Sequence, residues 1–97
     1  MFAFAKKVHS LDFFKKLVEK DGYAVIDTRS PVEYRDGTLY NAPNAPLRNF
    51  MPQFVQTVKD TKKVVLIGSQ RDTESFEACI RYAEQVGNVK LYYYYHS

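Results

Sequence analysis

Two short apolar runs, Tyr23-Ala24-Val25-Ile26 and Val64-Val65-Leu66-Ile67, constrain this chain more than any other feature. Neither alternates apolar with polar residues, as a strand with one wet face would. A strand that is apolar on both faces belongs in a sheet covered on both sides, which is the environment of parallel strands in α/β folds. Each run then turns abruptly polar. The first gives way to Asp27-Thr28-Arg29-Ser30, the second to Gly68-Ser69-Gln70-Arg71-Asp72-Thr73. Open parallel sheets carry their sites just beyond the C-terminal ends of the strands, so these two segments are the first candidates for function.

The stretches between the runs have helical spacing. Ser10 is placed to cap a helix with Asp12 in its first turn and Leu11, Phe14, Leu17 and Val18 on one face, widened by Phe13. Asp21-Gly22 ends it. Ser30-Pro31 opens a short helix that Gly37 closes. Pro43 and Pro46 keep Asn41 to Pro46 extended or turning. Met51, Phe54, Val55 and Val58 mark a further amphipathic helix. Another runs from Thr73 to Val86, with Phe76, Cys79, Ile80, Ala83 and Val86 on its apolar face, and Gly87-Asn88 terminates it. Short strands are expected around Ala5 to Val8 and from Val89 to Tyr95. Strands alternating with helices predict one α/β domain spanning residues 1–97, with a mainly parallel sheet and helices on both faces.

Composition narrows the functional classes. The chain has 97 residues, 45% hydrophobic and 26% charged, which suits a single modest core. No apolar run approaches the length of a membrane span, so no membrane partner is expected. Met1 to Ala5 is apolar but stops at Lys6-Lys7, too short for a signal-peptide core, and a cytoplasmic protein is expected. The single cysteine, Cys79, forbids an internal disulfide, and the two histidines, His9 and His96, stand at opposite ends. Neither a metal nor a cofactor is expected. The net charge of +3 raises nucleic acid as a partner, but the basic pairs Lys6-Lys7, Lys15-Lys16 and Lys62-Lys63 are scattered and interleaved with acids. Backbone phosphate calls for a concentrated patch, so nucleic-acid binding ranks only third among the functional readings.

The segment Asp27-Thr28-Arg29-Ser30-Pro31-Val32-Glu33-Tyr34-Arg35-Asp36-Gly37-Thr38-Leu39-Tyr40-Asn41-Ala42 resembles the signature of rhodanese-like domains. Asp27, Arg29, Glu33, Tyr34, Gly37, Leu39 and Ala42 fall in step with it, and Asn44, Ala45 and Pro46 sit where that family has a further strand. The later order of strand, polar loop, helix, glycine and strand agrees. The resemblance implies a three-layer α/β/α domain around a mainly parallel five-stranded sheet. It also implies a chemistry in which a cysteine after the fourth strand carries a sulfane sulfur as a persulfide, its thiolate favoured by inward-pointing N–H groups and a helix N-terminus.

Several positions depart from that pattern. The nucleophile position falls on Gly68, Thr73 and Glu74 stand where the family would put its loop arginine, Gly-His has become Gly37-Thr38, and no counterpart of the family's final helix is expected. Serine cannot carry a persulfide, so Ser69 does not replace the thiol. Cys79 lies on an apolar helix face and is expected to pack as a small hydrophobe. Asp27 and Arg29 are expected to anchor the loop, with Glu33 pairing with Arg29 or Arg35. The primary expectation is a catalytically inactive rhodanese-like domain acting as a protein-interaction or regulatory module. Its loop Gly68 to Thr73 would bind a small anion or acidic group through backbone N–H groups and Arg71. The alternative is a sulfurtransferase working through Cys79 or a partner's thiol. Tyr92-Tyr93-Tyr94-Tyr95 would offer an interface, including one for a homodimer, unless Phe2 and Phe4 cover it.

Overall fold

The computed structural model describes residues 1–96. Its elements are β1 (Lys6–Lys7), α1 (Leu11–Glu19), β2 (Ala24–Asp27), α2 (Pro31–Arg35), a 3-10 turn (Leu47–Asn49), α3 (Phe50–Asp60), β3 (Lys63–Ser69), α4 (Thr73–Val86) and β4 (Lys90–His96). The sheet runs β1-β4-β3-β2 and every pairing is parallel. β3 and β4 therefore lie in the middle.

The apolar runs behave as their composition requires. Along β2 and β3, alternate side chains enter two different cores. Val25, Val65 and Ile67 meet Phe14 and Leu17 of α1 on one face. Ile26, Val64 and Leu66 meet Phe50, Phe54 and Val58 of α3 and Phe76, Cys79, Ile80 and Ala83 of α4 on the other. This is the expected layering of helix, sheet and helix. The caps follow the sequence too: Ser10 Oγ accepts the Phe13 N–H, and Ser30 Oγ accepts the Glu33 N–H. Three residues assigned to apolar faces do not reach them. Leu11, Val55 and Val86 are exposed, while Phe50 supplies the first rung of the α3 stripe.

The sheet has four strands among the described residues, which corrects the expectation of five. The segment around Asn44 makes only one parallel bridge, to Asp27. The Asp27 N–H reaches Pro43 O at 2.9 Å and the Ala45 N–H reaches Asp27 O at 2.8 Å, and there the ladder stops. The next groups it would use are occupied by side chains. The Arg29 N–H is taken by Asp27 Oδ1, and Arg29 O accepts from Asn44 Nδ2. Pro46, with no N–H, then leads into the 3-10 turn.

The four tyrosines of β4 divide between the faces as a strand dictates. Tyr92 and Tyr94 pack with Phe13, Phe14 and Tyr23, and Tyr93 and Tyr95 with Phe76. Phe2 covers Tyr93 edge-on at 5.2 Å between ring centres. All four are half-buried, and of the two residues expected as cover only Phe2 packs on the run. Phe4 is exposed and takes no part in the cover. The segment that brings Phe2 there is held by Glu84 of α4, whose carboxylate accepts the N–H groups of Ala3, Phe4 and Ala5 at 2.9, 2.6 and 2.7 Å. Burial alone would raise the pKa of Glu84, but these three donors hold it below the usual glutamate value.

Candidate functional site

The polar segment after β2 is a structural anchor. Asp27 is fully buried and Arg29 nearly so. Arg29 Nη2 lies 2.9 Å from Asp27 Oδ2, and its Nε bridges both carboxylate oxygens at 3.1 and 3.2 Å. The Arg29 N–H and the Thr38 hydroxyl also donate to Asp27, at 2.9 and 2.6 Å. Arg29 reaches on to the carbonyl of Gly37, a residue at φ +140° that only glycine adopts readily. Asn44 Nδ2 donates to Asp27 O and Arg29 O, and the Tyr34 hydroxyl to Ala42 O. The ion pair thus folds the chain from Thr28 to Asn44 over the end of β2. Thr38, standing where the signature has histidine, serves the same carboxylate. The expected pairing of Glu33 with Arg29 or Arg35 is not made. Glu33 instead reaches across to the next strand.

At the end of β3 the side chains alternate sharply. Gly68 faces α4, where an added Cβ would stand 1.9 Å from the ring of Phe76. A side chain at position 68 would enter the core and not the space beyond the strand. Ser69, the next residue, points the other way. Its hydroxyl donates to Glu33 Oε2 at 2.8 Å and accepts the Arg71 N–H at 2.9 Å.

Ser69 opens onto a cavity of about 380 Å³ lined by Arg29, Glu33, Asp36, Gln70, Arg71 and His96. His96 is the register partner of Ser69 in the sheet, so both side chains stand on the same face. Nothing in the sequence pairs positions 69 and 96. The parallel register does, and it brings an imidazole to a site that sequence spacing left without one. The loop Gly68 to Thr73 is therefore split. Ser69, Gln70 and Arg71 line the cavity, Gly68 belongs to the core side, and Thr73 begins α4.

The helix end behind the cavity already holds a negative group. Asp72 caps α4 by accepting the Ser75 N–H at 3.1 Å. The Ser75 hydroxyl and N–H together hold its carboxyl below the usual aspartate value. With Glu33 and Asp36 in the lining, the site mixes both charge signs and is no simple anion cradle. Cys79 lies one face away from it, fully buried. Desolvation, with a smaller contribution from the charge of Asp72, pushes its thiol up to about 12.

A parallel sheet between helices, with a polar cavity where β2 and β3 end, defines an α/β domain of the strand-end site type. The family model described as Rhodanese-like domain matches residues 10–96, and the chain belongs to that family. Among curated proteins it is similar to one from Buchnera aphidicola subsp. Acyrthosiphon pisum (strain APS), whose name is "Uncharacterized protein BU052". The two are 30% identical over 77 residues, 79% of this chain and 54% of the relative. The chain thus spans about half the length of the curated relative it matches. No solved structure matches it.

Proposed function

We propose that this rhodanese-like domain does not transfer sulfur and works as a protein-interaction or regulatory module. One observation carries the reading. The side chain that β3 presents to the cavity is Ser69, bonded to Glu33, while the lone thiol is buried in the opposite core. A persulfide carrier needs an accessible thiolate. Cys79 has neither the exposure nor the pKa for it. The cavity keeps the size and polarity to accept a group presented by a partner. Arg71 and His96 would meet acidic atoms, and Glu33 and Asp36 basic ones.

The test is a sulfurtransferase assay with thiosulfate as donor and cyanide as acceptor, run beside intact-protein mass spectrometry. No turnover and no added sulfur are expected. Turnover by the natural chain would overturn the reading.

A further inference from the structure

The opposite end of the sheet carries a second feature, unconnected with the cavity. Because the strands are parallel, all of them begin at the same end. β1, β3 and β4 each begin with lysine: Lys6, Lys63 and Lys90. Lys63 and Lys90 are register partners, which puts their side chains on one face of adjacent strands about 4.8 Å apart. Like charges directly opposed across strands destabilise a sheet. Lys62, next in sequence to Lys63, adds a fourth ammonium.

Two adjoining hollows of about 380 and 400 Å³ open here and share Phe4, Val89 and Lys90. Lys62 and Lys63 line one, Lys6 with Tyr23 and Tyr92 the other, and no carboxylate lines either. Asp21, two residues before Tyr23, is already bonded to Lys16. Among the described residues, Lys6 and Lys90 form no salt bridge. Lys62 and Lys63 each donate to one backbone carbonyl, Val58 O in the last turn of α3 at 2.6 Å and Asp21 O in the turn after α1 at 3.0 Å. An ammonium has three donors, so both keep some free.

We propose that this lysine-lined groove binds single-stranded nucleic acid. Four ammonium groups along two joined hollows match a run of phosphates. The ring of Phe4, which is 39% exposed, offers a stacking surface to an unpaired base, while the Tyr23 ring already carries Lys63 over it and Tyr92 beside it. A concave groove flanked by aromatic rings suits a strand with free bases better than a duplex or a flat lipid surface, neither of which presents a base to stack.

The experiment is fluorescence anisotropy of a dye-labelled oligothymidylate, and of an oligouridylate, titrated with the full chain at several salt concentrations. Contact with three or four phosphates predicts a log–log salt slope of about −2 to −3. Lys6→Glu/Lys90→Glu should weaken binding at least tenfold and make the slope shallower by about 1.4, two phosphates' worth. Arg35→Glu/Arg48→Glu makes the same change in net charge away from the groove and should leave the slope unchanged. Phe4→Ala should weaken binding about tenfold at constant slope. Thermal melts confirm that the variants fold, and Lys6→Ala/Lys90→Ala replaces the glutamate pair if that pair does not. The proposal is overturned by no binding at low salt, by equal losses in the two charge-reversed pairs, or by binding to anionic phospholipid vesicles and not to the oligonucleotides.

Discussion

The two ends of the sheet handle charge in opposite ways. Where the strands end, charged groups have internal partners. Arg29 is paired with Asp27, Glu33 accepts from the Ser69 hydroxyl, and Asp72 caps its own helix. Where the strands begin, lysines face one another across the sheet with no carboxylate in the hollows they line. Paired buried charges act as fixed scaffolding, because each is the other's counter-charge away from water and the surrounding hydrogen bonds hold both in place. Opposed like charges cost some stability, which a backbone carbonyl such as Asp21 O relieves in part and an incoming anion would relieve further. The buried pair at the strand ends fixes the shape of the cavity beside it, whereas the strand-start groove has no such internal partner for its charge.

Breaking the scaffold should have the largest effect. Asp27→Asn leaves the buried guanidinium of Arg29 without its counter-charge and should cost about 3–5 kcal/mol in urea unfolding. A loss under about 1 kcal/mol would mean that the pair is not the anchor of this end.

The two sides of β3 are told apart by placing a thiol at each of two neighbouring positions. Gly68→Cys must displace the Phe76 ring and should cost about 1–3 kcal/mol. Ser69→Cys should fold nearly as well as the natural chain and react with a thiol reagent in the native state, while Cys79 of the natural chain should not. Equal stability of the two variants would contradict the assigned side-chain directions.

The N-terminal segment joins the two comparisons, since Phe2 covers Tyr93 of β4 and Phe4 lines the groove. Glu84→Gln weakens its tether and should cost about 1–2 kcal/mol. The pKa of Glu84 is lowered in the folded state, so its contribution is complete above the unfolded glutamate value. It is lost as pH falls through the lower folded value. Amide exchange at Ala3 to Ala5, compared between the natural chain and Glu84→Gln at neutral and acidic pH, checks both the size and the sign.

The smallest expected effect is a gain. Lys90→Glu turns the opposed pair with Lys63 into an attractive one and should add about 0.2–1 kcal/mol, measured as a higher Tm. A fall in Tm would mean that the lysines do not repel.

Local patterns were enough to read the layers. Val64 to Ile67 could only be a strand buried on both faces, and Ser10, Ser30 and Gly87 marked helix limits that depend on neighbouring residues alone. The fifth strand was misjudged because its failure lies in side-chain competition. Asn44 and Asp27 occupy the groups its ladder would use, and sequence spacing does not show which acceptor wins. Glu33 and His96 were out of reach for a related reason. Their meeting with Ser69 depends on a cross-strand register and on a helix crossing toward β3. Lys6, Lys62, Lys63 and Lys90 are scattered along the sequence, and only the parallel topology gathers them at the strand starts. The tyrosine run was legible as two faces, but what covers each face depends on long-range packing against α1, α4 and Phe2.

The most direct test of the account is intact-protein mass spectrometry of the natural chain after incubation with thiosulfate. The account predicts an unchanged mass, because the only thiol is buried and protonated on the far side of the sheet from the cavity. A sulfur atom gained by the native protein and removed by cyanide would show Cys79 to be an accessible carrier, and would contradict both the proposed function and the packing that underlies it.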